Sequence, residues 1–398
     1  MTSLRPLAIA AGPGAAAVLP ELRRALDGEF AALPYAAGGR PPTVPDAVVP
    51  DSLVPDAAVP DGTALVVGTS GSTGTPKLAM LSASALAASA ADTHERLGGP
   101  GSWLLAMPPH HIAGVQVLLR CIASGTEPGF VDLSEGFGAA AFRAAATTFH
   151  GDRRYTALVP TQLARLLDDE SATTMLAGFD AVLVGGAASP PALLDHARAA
   201  GITVVTTYGM SETCGGCVYN GIPLSHTQIR VDDDGRIHLA GATLATGYLG
   251  RPDLTAAAFR TDDDGRRWFR TDDVGKLGDD GRWHVDGRLD DLITTGGLKV
   301  APRLVEDALT SLPGIAEAVV IGTADEQWGQ AVSAAVVLTW PVTTGSTAPT
   351  VDDLRELLRG ILPAHALPRR LLVLPALPLR GPGKPDRAAV AARFADGA

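Results

Sequence analysis

Leu65-Val66-Val67, then Thr69-Ser70-Gly71-Ser72-Thr73-Gly74-Thr75-Pro76-Lys77, is the stretch that decides the reading of this chain. Three apolar residues in a row mark a buried strand. The string behind it mixes hydroxyls with glycines and closes on a lysine. Backbone N–H groups, several hydroxyls and one ammonium in that order can wrap a polyphosphate. A Walker loop is excluded, because Pro76 precedes the lysine and Leu78 follows it, where Gly and Ser or Thr are required. The alternative is a plain flexible turn, a weaker account of so long an ordered string.

Outward from this strand and loop, short apolar runs at 64–67, 103–107, 157–159, 181–184 and 202–206 alternate with Ala/Leu-rich helical stretches and Gly-rich turns. Strands alternating with helices predict an α/β architecture. Past about Asp232 the texture changes to Asp-Gly turns and short alternating segments, 236–240 and 283–285, which read as antiparallel hairpins. The last hundred residues differ again. A helix from about Pro302 is expected to present Leu304, Val305, Ala308, Leu309 and Leu312 on one face, followed by strands near 316–321 and 331–338. Ahead of the loop, Val-Pro-Asp begins at 44, 49, 54 and 59, so 41–62 is expected to be an extended, Pro-rich surface strap.

A chain of 398 residues exceeds what one core usually holds. The expectation is a large N-terminal α/β domain over 1–287 that includes a small β-hairpin-rich region, then a small α+β domain over 288–398, with the boundary at 287–291. Hydrophobic residues make up 46% and charged residues 19%, as in ordinary globular proteins. A formal net charge of -11 repels phosphate backbones and anionic membranes, so nucleic acid and lipid are poor partners. No apolar run reaches the roughly 18 residues a membrane helix needs. The first twenty residues, broken by Pro6, Pro13 and glycines, make a poor signal-peptide core. Three cysteines, Cys121, Cys214 and Cys217, are too few for a disulfide scaffold, and the expected compartment is the cytoplasm. Cys214 and Cys217 have redox-pair spacing, but with no second pair they are read as small lining residues. Of 32 Lys and Arg, only Lys77, Lys276, Lys299 and Lys384 are lysines. A position that stays Lys among so many arginines is a place where a compact ammonium matters.

Five blocks in order carry a resemblance: the hydroxyl string, Tyr208-Gly209-Met210-Ser211-Glu212-Thr213, Phe269-Arg270-Thr271-Asp272-Asp273, Gly287-Arg288-Leu289-Asp290-Asp291 and Gly383-Lys384. Together they make the chain resemble the acyl-adenylate-forming superfamily of acyl-CoA synthetases and adenylation domains. The resemblance runs from residue 64 to the C-terminus. Only some 60 residues precede the phosphate loop, so the first subdomain must be pared down. The activity it implies is joining a small carboxylic acid to AMP at the expense of ATP, with Mg²⁺, and then passing the acyl group to the thiol of coenzyme A.

The resemblance also assigns roles. Thr69 to Thr75 (Thr69, Ser70, Gly71, Ser72, Thr73, Gly74, Thr75) and Lys77 hold phosphates, and Glu212 holds Mg²⁺, for which an oxygen ligand is suited. Gly185, Gly186 and Ala187 let backbone approach the adenine, Tyr208 offers its ring face, and Thr207, Gly209, Met210 and Ser211 complete the nucleotide segment. Asp273 takes the ribose hydroxyls and Arg288 closes over ribose and phosphate. Asp272 stands where the family has Gly, which puts the local turn in question. Lys384 is the catalytic lysine of adenylation, where an ammonium neutralises charge on the reacting phosphate. Asp290 matches the hinge about which the mobile C-terminal domain rotates, and Gly296, Gly297 and Lys299 meet coenzyme A.

Within the superfamily, the run from Met107 through His110 and His111 to Arg120, and Thr213 to Tyr219, are most similar to the menaquinone-pathway branch, whose acid is 2-succinylbenzoate. His111 falls at the histidine that shuts the acyl pocket, a core histidine being the alternative; Gly209 and Thr213 line the acid. Arg120 sits among Val115, Val117, Leu118, Leu119 and Cys121 in a helix that should be buried. A cation there needs a partner. It is either an Arg that snorkels or pairs with a structural acid, or the counter-charge of a substrate carboxylate. Ligases for another aryl or acyl acid, carrier-protein loading, and a nucleotide-binding regulator that has lost catalysis remain open. Oligomeric state is not legible.

Overall fold

The computed structural model describes residues 1–42, 58–69, 77–339, 348–379 and 385–396. Most of the Pro-rich strap therefore lies outside the described residues. The chain divides into two compact units, the first made of Met1–Gly186, Ala197–Arg230 and His238–Thr271, the second of Ala187–His196, Val231–Ile237 and Asp272–Ala398. The expected boundary at 287–291 lies within the second unit, and a division into 1–287 and 288–398 is kept as a proposal.

The first unit holds two whole sheets and part of a third, made of Thr227–Val231, Arg236–Gly241, Phe259–Thr261 and Arg267–Leu277. Strands β1 (Thr2–Ile9) and β2 (Ala31–Ala36) run parallel, from Leu4 opposite Ala31 to Ile9 opposite Ala36, joined through helix α1 (Leu19–Leu26). β3 (Ala58–Val59) pairs antiparallel with the start of β1, β4 (Thr63–Thr69) runs parallel to β2, and β5 (Lys77–Ser82) turns back along β4. The first 36 residues thus form a strand–helix–strand unit that pairs with β4. Leu4, Leu33, Val66 and Leu78 bury together in this sheet, and β4 reads as an apolar run because it is an inner strand, between β2 and β5, buried over 63–67.

The second sheet comprises β6 (Ser102–Leu105), β7 (Gly129–Phe130), β8 (Arg154–Leu158), β9 (Ala181–Val184), β10 (Val204–Met210), β11 (Gly215–Tyr219) and β12 (Ile222–Pro223), in the order β12-β11-β10-β9-β8-β6-β7. From β7 to β10 the neighbours are parallel, and β11 and β12 return antiparallel. Helices α2 (Ala83–Arg96) and α3 (Ile112–Ser124) belong to the same unit. Ser82 caps α2, its hydroxyl accepting from Ala85 N–H at 3.1 Å, and Gly125, at φ 66°, ends α3 in the left-handed conformation a glycine adopts freely. Gly114 is fixed by contact: a Cβ there would stand 2.1 Å from the Pro108 carbonyl oxygen.

In the second unit, Asp273 to Leu277 pair antiparallel with Trp283–Arg288, with an irregularity between Val274 and Gly275. Beyond it, Ile293–Thr295 and Leu298–Val300 form a hairpin, Ile315–Asp325 and Gly329–Leu338 a longer one, and Arg370–Val373 runs parallel to the latter. Val305, Leu309, Leu354 and Leu358 cover one face of this sheet with Val320 and Val336, while Val390 and Phe394 pack on Val319 and Ile321. An α/β chain ending in a small α+β part is what the sequence led us to expect. One residue departs: Leu304, placed on the buried face of helix Pro302–Thr310, is 49% exposed. Its neighbours Val305 and Leu309, four apart, define the buried stripe, and Leu304 lies off its edge.

Candidate active site

Thr69 and Lys77 stand opposite each other across the β4–β5 ladder. Ser70, Gly71, Ser72, Thr73, Gly74 and Thr75 lie outside the described residues, as does Lys384. Ser211 donates to the Gly68 carbonyl at 3.3 Å, which sets the Ser211–Thr213 turn against the end of β4. Within that turn the Thr213 hydroxyl accepts from Met210 N–H at 3.0 Å and reaches the Gly215 carbonyl at 2.7 Å. Gly209 is required by close approach, since a Cβ would meet the Gly215 oxygen at 2.1 Å. Gly185 is likewise pressed against Thr207, whose Oγ1 would lie 2.1 Å from a Cβ, and Gly186 adopts φ 79°. Tyr208 is half-buried on the same strand.

Glu212 is buried, 7% exposed, with Tyr248 donating its hydroxyl to Oε1 at 2.8 Å. The Lys77 ammonium lies 5.4 Å from the centre of the Tyr248 ring. Among the described residues no cluster of three or more His, Cys, Asp or Glu could hold a metal by itself. A single carboxylate is nonetheless what Mg²⁺ takes from protein when nucleotide phosphates and waters supply the rest, so Glu212 fits the ion.

A second group of candidate residues in this unit lies along α3. His111 occupies the N-cap position of the helix and is exposed, its ring 4.3 Å from that of His110. The core-histidine alternative therefore fails for His111. It is His110 that burial, helped by the neighbouring His111, pushes down to about 4. Nine positions along, Arg120 is 3% exposed, so it does not snorkel. Its guanidinium carbon lies 4.8 Å from the Trp103 ring centre, and one terminal nitrogen donates to the Tyr219 hydroxyl at 3.4 Å. Thr93 gives its proton to the Ser89 carbonyl at 2.9 Å, so Tyr219 is the donor in the 3.0 Å bond to Thr93. Arg120, Tyr219 and Thr93 thus form a chain with one direction. No carboxylate among the described residues pairs with Arg120, and its Nε is buried without a hydrogen bond. Burial draws the Arg120 pKa down, yet a guanidinium stays charged. One turn earlier, Gln116 donates to the Cys214 carbonyl at 2.7 Å and buries an unbonded Oε1.

Sequence reasoning singled out Arg120 but passed over Gln116, Tyr219, Trp103 and Tyr248. The four-residue spacing of Gln116 and Arg120, two polar side chains on one face of an apolar helix, was the available signal for the first. Cys214 and Cys217 are buried, and burial pushes both thiols up, Cys217 to about 12. Such thiols stay protonated and pack as small apolar groups.

The remaining residues sit in the second unit, Ala187 among them. Asp273 and Arg288 are cross-strand partners with 3.6 Å between charged atoms. Arg288 also grips Asp290 with two bonds of 2.9 and 3.1 Å and lies 3.7 Å from Asp272. Asp272 continues the strand Arg267–Leu277, and Cys214 and Asn220 are the non-glycines with positive φ among the described residues. No left-handed backbone at 272 demands the family's glycine. Gly296 and Gly297 have φ of 57° and 78° and form the two-residue turn between Thr295 and Leu298. That turn type needs positive φ at both positions, which accounts for both glycines whatever else they meet. Lys299 is exposed beside them.

The sequence matches the AMP-binding enzyme family over residues 17–249 and the C-terminal domain of AMP-binding enzymes over 304–384. It is 47% identical over 396 residues to a probable 2-succinylbenzoate–CoA ligase of Mycobacterium tuberculosis, covering 98% of this chain and 99% of that one. It resembles the o-succinylbenzoate CoA synthetase of Bacillus subtilis solved with its acyl-adenylate intermediate, at 28% identity and a TM-score of 0.67, over 86% of this chain and 72% of that one. An amide bond synthetase from Marinactinospora thermotolerans shares the fold at a TM-score of 0.79 and 23% identity, over 99% of this chain and 90% of that one.

Proposed function

This chain belongs to the AMP-binding enzyme family, and from that premise we propose that it is an ATP-dependent acid–thiol ligase acting on 2-succinylbenzoate, in menaquinone biosynthesis. In the first half-reaction a succinyl carboxylate oxygen attacks the α-phosphorus of ATP and pyrophosphate leaves. In the second, the coenzyme A thiol attacks the acyl carbonyl and AMP leaves. The observation that carries the choice of acid is Arg120, a fully desolvated cation with no carboxylate partner among the described residues. A desolvated charge is costly unless it is compensated. The aromatic carboxylate of 2-succinylbenzoate, which does not react, supplies that compensation by pairing with the guanidinium. Near-full-length identity to a relative bearing that name supports the same acid.

The protein's share of the chemistry is charge placement. Lys77 and the hydroxyl string grip phosphates, and Lys384 neutralises charge growing on the α-phosphate. Glu212 would hold Mg²⁺, which when bound screens the phosphates. Asp273 and Arg288 serve the ribose, Asp290 is the hinge, and Gly296, Gly297 and Lys299 meet coenzyme A. His111 closes the acyl pocket, with Gly209 and Thr213 lining it. The proposed compartment is the cytoplasm, where ATP and coenzyme A are available; no described helix is long and apolar enough to cross a membrane. The test is pyrophosphate exchange with ATP over a panel of acids, followed by coenzyme A addition. Exchange and thioester formation with 2-succinylbenzoate are expected. Exchange with a different acid, and none with this one, would refute the substrate.

A further inference from the structure

Tyr248 lies 36 residues from Glu212 in sequence, yet it touches two groups on which the proposed adenylation depends. It is 3% exposed, and its hydroxyl meets Glu212 Oε1 at 2.8 Å. An ionised carboxylate can only accept, so the tyrosine is the donor, in a charge-assisted bond. The ring of the same residue faces the Lys77 ammonium at 5.4 Å, within range of a cation–π contact. Lys77 in turn closes the hydroxyl-rich string opposite Thr69.

The backbone around Tyr248 is fixed from several sides. Gly247 and Tyr248 pair with Met80 and Ala79 of β5. The Tyr248 N–H donates to Thr255 Oγ1 at 2.9 Å. Arg267 donates to the carbonyls of Ala245 and Thr246 at 2.7 and 2.8 Å, and Ala245 N–H donates to the Glu212 carbonyl at 2.8 Å. One short segment therefore holds Glu212 by its main chain through Ala245 and by its side chain through Tyr248. Partners of this kind, one shell out from an ion, set the direction of a ligating oxygen and raise affinity for the metal.

We propose that Tyr248 is the positioning residue of the magnesium site: its hydroxyl aims the Glu212 carboxylate, and its ring keeps the Lys77 ammonium in register with that carboxylate. The inference rests on Glu212 as the metal carboxylate and on Lys77 as a phosphate-binding cation. A tyrosine that only filled space would be replaced by phenylalanine without consequence, because the ring and its packing 5.7 Å from Phe259 would remain.

The experiment measures binding of a non-hydrolysable ATP analogue, with and without Mn²⁺, by calorimetry and by the Mn²⁺ paramagnetic resonance signal. In the wild type Mn²⁺ tightens nucleotide binding, and Glu212→Gln removes that gain. Tyr248→Phe is expected to cut the gain roughly ten- to hundredfold, the usual effect of losing such a partner, with metal-free nucleotide binding unchanged. Tyr248→Leu is expected to weaken metal-free binding as well, roughly two- to fivefold, by removing the ring face from Lys77. A full Mn²⁺ gain in Tyr248→Phe, in a protein where Glu212→Gln has lost it, overturns the role of the hydroxyl. Equal metal-free affinity in the Phe and Leu variants overturns the role of the ring. The titration needs no acid, so it decides the point even if 2-succinylbenzoate fails in pyrophosphate exchange, a result that would count against the substrate alone.

Discussion

Two arginines, one in each unit, meet opposite circumstances. Arg288 is 40% exposed and lies within 4 Å of three carboxylates, those of Asp272, Asp273 and Asp290. Arg120 is 3% exposed and has a tyrosine hydroxyl and an indole face but no carboxylate among the described residues. Stability alone would favour the reverse, since water already serves an exposed guanidinium and a buried one needs a counter-charge. The difference teaches where a ligand's charge is wanted. A surplus of acid around Arg288 makes it a group held in place by the protein. Under the proposed function, the deficit around Arg120 is what a substrate carboxylate would complete.

The largest effect is expected at a third cation, Lys384, which the proposed function gives to adenylation. Lys384→Ala is expected to lower adenylate formation by roughly 10²- to 10³-fold, while thioester formation from preformed acyl-adenylate stays largely intact. Rapid-quench measurement of the two half-reactions checks this. Equal loss in both would remove the lysine from the first step.

Arg120→Leu comes next. It should weaken use of 2-succinylbenzoate by roughly 2 to 5 kcal/mol in kcat/KM, the range for stranding one partner of a buried pair, with ATP affinity barely changed. The control is an analogue with hydrogen in place of the benzoate carboxylate. Wild type should reject it, and the Leu variant should discriminate far less. An identical preference ratio in both proteins would make Arg120 structural and abolish the contrast with Arg288.

A smaller effect reads the same buried charge through its neighbour. His94 accepts from the Trp103 indole N–H at 3.3 Å, and burial, reinforced by the Arg120 charge, pushes its pKa down from 6.5 to about 4. The folded protein thus binds this proton more weakly than the unfolded chain. The stabilising contribution is complete above about pH 6.5 and is lost as pH falls towards 4, by roughly 1.4 kcal/mol per unit and about 3 kcal/mol in all. Urea unfolding at pH 7 and pH 5 measures it. His94→Gln should remove its share of the dependence and leave that of His110, and Arg120→Leu should shrink the His94 share, because one of the two causes is gone. A slope unaltered by either change would mean that His94 is not held neutral by its surroundings.

How far the sequence carried this picture differs between the two regions for a physical reason. The burial of Arg120 was legible because a helix repeats locally: Val115, Val117, Leu118 and Leu119 around it sufficed. The strand ahead of the hydroxyl-rich string was legible because Leu65, Val66 and Val67 are contiguous. The clamp on Arg288 was not, because Asp273 meets Arg288 only through a cross-strand register that shifts by a bulge between Val274 and Gly275. The Tyr248–Glu212 bond spans 36 residues and the same difficulty hid it. That β1 and β2 join the sheet of β4 depends on long-range pairing that no local pattern records.

The smallest expected effect concerns Asp272, which stands where the family has glycine. The residue sits in a regular strand, its carbonyl accepts from Leu289 N–H at 2.8 Å, and its carboxylate meets Arg236 at 3.0 Å. At 53% exposed, that carboxylate contributes little through either ion pair. Asp272→Gly adds the backbone entropy of a glycine in a strand, about 0.5 to 1 kcal/mol, so the total loss of stability should be about 1 kcal/mol in urea unfolding. Arg288 keeps Asp273 and Asp290, and the KM for ATP should therefore change by less than about twofold, since surface ion pairs couple weakly. The same arithmetic applied to Arg120 gives a different answer under the proposed function, because no carboxylate among the described residues would replace the one a substrate supplies. A tenfold rise in the KM for ATP on Asp272→Gly would show that the acids around Arg288 act on the nucleotide as a set and would end the distinction between a guanidinium held by protein and one completed by substrate.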